Sequence, residues 1–170
     1  NVVGPARQAA EQARRQGKGN DGVFCGAAIK LRDGRVVTGR NSPLMHAASA
    51  LVINEIHADP ASGLAGDANG DGVRDGTDDE FVEIVNNTGG NVDISGWTLS
   101  DGFAVRHVFP ANTLVLDGCS VVVFGGGAPM GEFGNSVVQS ASTGALGLNN
   151  GGDSLSLNDG SDDVATASYG

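Results

Sequence analysis

From Leu51 onward, short apolar runs recur, and each one stops at Gly, Asn or Asp. LVINEIHA alternates apolar and polar residues, EFVEIVN does so again, and AVRHVF, TLVL, SVVVF, SVVQS and SLSLND follow. Residues two apart share one side of a pleated strand, so a run with this period buries one face and wets the other. A train of such strands with turn residues between them calls for an antiparallel β-sandwich of about seven to nine strands, enough for two packed sheets. The 28 glycines among 170 residues show no three-residue repeat, so they mark turns and not collagen.

The first fifty residues follow another pattern. PARQAAEQARRQ, Pro5 to Gln16, is rich in helix formers, with Pro5 in the first turn and Gly17 as the stop. VFCGAAIKL reads as a strand, Arg32-Asp33-Gly34 as a turn, and RVVTG as the returning strand. Ser42 and Pro43 then suit the start of a second helix through LMHAASALV. The chain therefore divides into an α/β segment over residues 1–50 and a β-sandwich over 51–170. At the seam Ala50–Leu51 the helix and the first sandwich strand compete for the same residues, a conflict that a fusion of two segments produces.

Charge divides at the same place. The net charge of −10 combines eight Lys and Arg against three acids in residues 1–50 with two Arg against seventeen acids in residues 51–170. An acidic sandwich repels a phosphate backbone, which argues against nucleic acid as a partner. No apolar run approaches the roughly 20 residues of a membrane helix. Cys25 and Cys119 fall one in each segment, and neither sits in a CxxC pair, so thiol-redox and zinc-thiolate chemistry are poorly served.

The stretches VINEIHADP, DEFVEIVNNTGGNVDISGWTLSDG, HVFPANTLVLDGCSVVVF and GDSLSLNDGSDDVATASYG together resemble the lamin-tail domain. That resemblance implies an immunoglobulin-like sandwich, with Trp97 as an anchor between the sheets, and an interaction role that supplies no catalytic residues. It also implies an exported or cell-surface setting for residues 51–170, as in many bacterial proteins of the family. GPARQAAEQARRQGKGNDGVFCGAAIKLRDGRVVTGRNSPLMHAASALV resembles part of the C-terminal region of DUF1846, a bacterial family of uncharacterised function. That second resemblance implies a cytoplasmic setting, so the two segments disagree on localisation.

One loop carries chemistry. Gly66 to Glu80, GDANGDGVRDGTDDE, packs six acidic side chains and four glycines into fifteen residues. Counted from Asp67, oxygen side chains fall at positions one, three and five (Asp67, Asn69, Asp71), and Gly72 takes the bend at six. Val73 offers its carbonyl at seven, and Asp75 binds at nine directly or through water. Position twelve is Asp78, where an EF-hand loop carries a bidentate Glu; the shorter Asp has Asp79 and Glu80 beside it as substitutes. Calcium (Ca2+) needs six to eight oxygens on a tightly curled backbone, and this spacing supplies them. Two carboxylates about 5 Å apart repel by roughly 3 kcal/mol at an effective dielectric near 20, so converging Asp side chains splay without a cation.

The remaining candidates are weaker. His46-Ala47-Ala48 lacks the glutamate of a deaminase motif, and no PCxxC follows it. Glu55 and His57 share a strand face and read as surface residues, with Asp59 or Glu83 the only partners for a second metal site. His107 reads as a residue of the solvated face. Gly125 to Gly131, GGGAPMG, lacks the Lys-Ser/Thr of a phosphate loop and reads as a wide turn. No nucleophile and base come together by spacing. The expectation is a non-enzymatic, calcium-binding sandwich for binding or tethering to a protein or cell-surface partner. The alternative is the remnant of an α/β enzyme over residues 1–50, fused to a structural sandwich.

Overall fold

The computed structural model describes residues 3–15, 26–30, 35–40 and 51–170. The chain forms two compact units, Asn1–Ala48 and Ser49–Gly170. In the first, α1 (Val3–Arg15) is followed by β1 (Gly26–Lys30) and β2 (Val36–Arg40), which pair antiparallel. Glu11 is bracketed on α1 by Arg14 and Arg15 at 2.9 and 3.1 Å, one turn further on. Their hydrogen bonds lower its pKa to about 2. The Arg32-Asp33-Gly34 turn, the helix expected from Pro43, and Cys25 lie outside the described residues.

The second unit holds ten strands. They are β3 (Leu51–His57), β4 (Phe81–Asn86), β5 (Val92–Asp93), β6 (Thr98–Ser100), β7 (Val105–Val108), β8 (Leu114–Val115), β9 (Ser120–Phe124), β10 (Val137–Ser140), β11 (Asp153–Asn158) and β12 (Asp163–Tyr169). Two four-stranded sheets, ordered β10-β9-β4-β3 and β12-β11-β6-β7, form the sandwich, with β5 and β8 as a separate short pair. Val82, Ile84, Val121 and Val123 from the first sheet meet Leu99, Leu155, Leu157 and Val164 from the second in one buried core. Of the two competing elements at the seam, the described one is the strand, which starts at Leu51.

Four details depart from the expected pattern. β9 and β10 run parallel, which a direct hairpin forbids; the connection Gly125 to Ser136 gives the chain length to cross over. Strand β3 carries a bulge at Asn54: Ile53 opposes Ile84 and Glu55 opposes Glu83, so Asn54 has no partner. The extra residue keeps Leu51, Ile53 and Ile56 toward the core, while Glu55 and His57 share the outer face with Phe81, on which the imidazole stacks at 5.1 Å. Trp97 is only partly buried against the core, so Phe109, Ile84 and Ile94 anchor the interior in its place. The pair Ile84 and Ile94 is fully enclosed.

The fourth departure is His107, which is buried and not solvated. Its Nδ1 accepts the Ser142 N–H at 3.1 Å, which leaves the proton on Nε2 to donate to Gln139 Oε1 at 2.8 Å. Gln139 in turn donates to Thr113, whose hydroxyl donates to the Pro110 carbonyl. This neutral chain ties β7 to β10 across the two sheets, and burial pushes the His107 pKa below its ordinary value. The signal was present in the sequence, since His107 shares its strand face with Phe109.

Candidate metal centre

Residues 58–80 link β3 to β4 and contain the acidic stretch. A single 3-10 turn, Leu64–Gly66, delivers Asp67 at the loop entrance. From there the loop curls around its own side chains. Asp67 Oδ2 accepts the Gly72 N–H at 2.9 Å, closing the first turn on the residue whose φ of 90° favours glycine. Asn69 Oδ1 accepts the Asp71 N–H, Asp71 Oδ1 the Val73 N–H, and Asp75 Oδ1 the Thr77 and Asp78 N–H groups. These are local side-chain turns of the kind Asn and Asp favour, and they curve the backbone tightly.

Asp79 organises the interior of the loop. It is fully buried, and its two oxygens accept the N–H of Asn69 at 3.0 Å and of Asp75 at 2.7 Å. It therefore staples the two limbs of the loop together and is not a spare ligand for position twelve. Glu80 is not one either, because its Oε2 accepts the Leu148 N–H at 3.2 Å on the far side of the strand end. Asp78 remains the residue at that position. Its pKa is raised, first by desolvation and then by the neighbouring charges of Asp75, Asp71 and Asp79. The opposite holds for Asp75, whose two N–H donors lower its pKa.

Positive charge is scarce here. Arg74, the one basic residue of the loop, donates to the carbonyls of Ala61 and Pro60 and forms no ion pair with a loop carboxylate. Asp67 Oδ1 and Asn69 Nδ2 are buried without a hydrogen-bond partner. An orphaned carboxylate oxygen suits a cation; an orphaned amide donor does not. Among the described residues, no three His, Cys, Asp or Glu side chains are grouped so as to hold a metal by themselves. A cation at this loop would draw on Asn69 and a main-chain carbonyl such as that of Val73 as well.

The sequence reading missed the surface on which the loop sits. Gly125, Gly126 and Gly127, after β9, let the loop approach where a side chain could not. A Cβ at Gly125 would stand 1.8 Å from the Thr77 carbonyl oxygen, and one at Gly126 2.2 Å from Asp78 Oδ1. A Cβ at Gly127 would reach Asn69 Nδ2 at 2.4 Å and Asp71 Oδ2 at 2.6 Å. The Ala128 N–H donates to Asp71 Oδ2, and the Met130 N–H donates to the Asn69 carbonyl at 2.8 Å. GGGAPMG is thus a wide turn, and also the bed of the acidic loop. Cys119 is half-buried, with no cysteine partner among the described residues.

Two packed sheets with a long acidic loop at one end define a structural β-sandwich module of the immunoglobulin-like type. The lamin tail domain model matches residues 45–170, and the chain belongs to that family. Residues 1–60 match the C-terminal domain of unknown function DUF1846, a likeness confined to the first unit and the start of the second. The search of curated proteins found no match. Among the described residues, no helix is long and apolar enough to cross a membrane.

Proposed function

We propose that residues 51–170 form a non-catalytic sandwich module whose β3–β4 loop binds calcium, and that the module tethers or localises a larger exported protein. The observation that carries the reading is the buried, unpartnered Oδ1 of Asp67 in a loop whose only arginine is engaged elsewhere. A buried anionic oxygen needs a counter-charge, and hard divalent cations take oxygen ligands on backbones of this curvature. Asp67, Asn69 and Asp71 supply side-chain oxygens, Val73 its carbonyl, Asp75 a direct or water-mediated contact, and Asp78 the closing carboxylate. Extracellular calcium, near millimolar, saturates even a weak loop of this type, which agrees with an exported setting.

The role is mechanical. The loop grips the glycine bed through Asn69, Asp71 and Asp78, so a cation that holds these residues also holds the β9–β10 crossover. Calorimetry of the full chain, stripped with chelator and titrated with calcium chloride, is expected to show one site and a rise in Tm. With calcium a hundredfold above Kd, linkage adds about 2.7 kcal/mol, on the order of 10 °C for a domain of this size. Asp67→Asn, whose amide oxygen can still accept the Gly72 N–H, is expected to weaken binding with an apo Tm at or above that of the wild type. Asp71→Asn, by contrast, is expected to weaken binding and lower the apo Tm, because both Asp71 oxygens accept main-chain N–H groups. If millimolar calcium produces neither heat nor a Tm change, the reading fails.

A further inference from the structure

The outer face of the first sheet carries a recess of about 410 Å3, lined by Phe81, Phe124 and Phe133, by Glu55 and Glu83, and by Ala68 of the acidic loop. Phe81 and Phe133 are half-buried at its wall, and the fully buried Phe124 packs between them, with ring centroids 5.6 Å from Phe81 and 5.1 Å from Phe133. The bulge at Asn54 places Glu55 directly opposite Glu83, and like charges in that position destabilise a sheet. Glu83 accepts an amide N–H from Asn54 at 2.6 Å, which does not neutralise it.

Neither arginine of the sandwich relieves this pair, and His57, on the same face, is stacked on Phe81. Residues 51–170 contain two arginines. Arg74 donates to main-chain carbonyls, and Arg106 is paired with Asp101. Facing carboxylates above aromatic rings, in a cavity of this size, suit a group that is positively charged and flat. A guanidinium stacks on a ring face and forks a carboxylate with two N–H donors; an ammonium does only part of this.

We propose that this recess is a binding site for an arginine side chain presented by a partner polypeptide. The guanidinium lies against the half-buried Phe133 and donates to Glu83 and Glu55, and the methylenes of its stem cover the part of Phe81 that the stacked His57 leaves open. The site is separate from the calcium loop, although Ala68 makes the loop part of its wall.

The test is an NMR titration of the full chain, in calcium-containing buffer, with the peptide acetyl-Gly-Arg-Gly-amide. Saturable amide shifts are expected over β4, β9 and the residues around Phe133, and Glu83→Gln is expected to weaken binding at least about tenfold, as loss of a charged hydrogen-bond acceptor does. Glu55→Gln provides the second variant, with a wild-type spectrum elsewhere as the check on folding. The citrulline peptide, equal in shape but uncharged, is expected to give no saturable shift. The proposal is overturned if the arginine peptide gives none, if citrulline matches it, or if both Gln variants bind as the wild type does. Equal binding by the lysine peptide, or tighter binding by tetramethylammonium ion, overturns the assignment to arginine.

Discussion

At the residue scale, the acidic loop separates what spacing can reveal from what it cannot. Asn69, Asp71 and Asp75 accept N–H groups two residues further on, so their behaviour follows from local sequence alone. Asp79 and Glu80 look equivalent in the sequence, yet one staples the loop at Asn69 and the other reaches Leu148. Glu80 makes a distinct prediction. Burial, the largest influence, raises its pKa; the Leu148 and Gly147 N–H groups and Arg106 pull the other way without reversing it. A raised carboxylate pKa means that the folded state holds the proton more tightly than the unfolded chain does. Its contribution to stability is therefore most favourable below the unfolded pKa and declines as the pH rises through the folded one. Glu80→Gln keeps an oxygen for the Leu148 N–H and removes the ionisation. Urea unfolding is expected to show the variant gaining on the wild type as the pH rises from about 4 towards 7. A difference that stays constant with pH counts against burial as the cause. The glycine bed was beyond sequence reading for the same reason as Glu80: its partners lie in a loop far away along the chain.

At the element scale, the period-two runs located the strands because burial of one face is written into each strand separately. LVINEIHA is the instructive exception. Strict alternation puts Leu51, Ile53, Glu55 and His57 on one face, which would bury a glutamate beside two core residues. The bulge at Asn54 resolves the conflict by resetting the phase, so Ile56 returns to the core opposite Val82. Deletion tests this account at a single residue. Removing Asn54 leaves Leu51, Ile53 and Ile56 facing inward and Val52, Glu55 and His57 facing outward. Its expected cost is within about 1 kcal/mol, the Glu83 hydrogen bond being the main loss. Removing Ile53 shortens the strand equally but moves Asn54 into the place opposite Ile84. Loss of a buried isoleucine together with a polar intrusion is expected to cost about 2–5 kcal/mol. Equal stability of the two deletions in denaturant unfolding contradicts the bulge as a phase-setting device. The parallel pairing of β9 with β10 was not legible from either strand, because direction depends on the crossover between them and not on side-chain period.

At the scale of the whole molecule, the change of pattern and charge near residue 50 was visible because the two segments obey different periods and carry opposite charge. The family matches overlap over residues 45–60, across the stretch where helix and strand compete. What the sequence could not show is which contacts sustain the sandwich. Among the described residues, the buried core of the sandwich runs from Leu51 to Val164. The sheets, the His107–Gln139 link and the acidic loop are likewise complete within the second unit. The core, sheets and links named here all belong to residues 51–170, so a fragment of residues 49–170 is expected to fold alone. A domain of this size buries enough surface for a single cooperative transition. Its Tm is expected within a few degrees of the sandwich transition in the full chain, and its calcium response is expected to be unchanged. Scanning calorimetry of both proteins, each with calcium and with chelator, decides the matter. A fragment that melts about 10 °C lower with the calcium response intact would place missing contacts in the first unit. A fragment that keeps its Tm in chelator but loses the calcium response would move part of the metal site out of the β3–β4 loop, since every ligand named for that loop lies between Asp67 and Asp78.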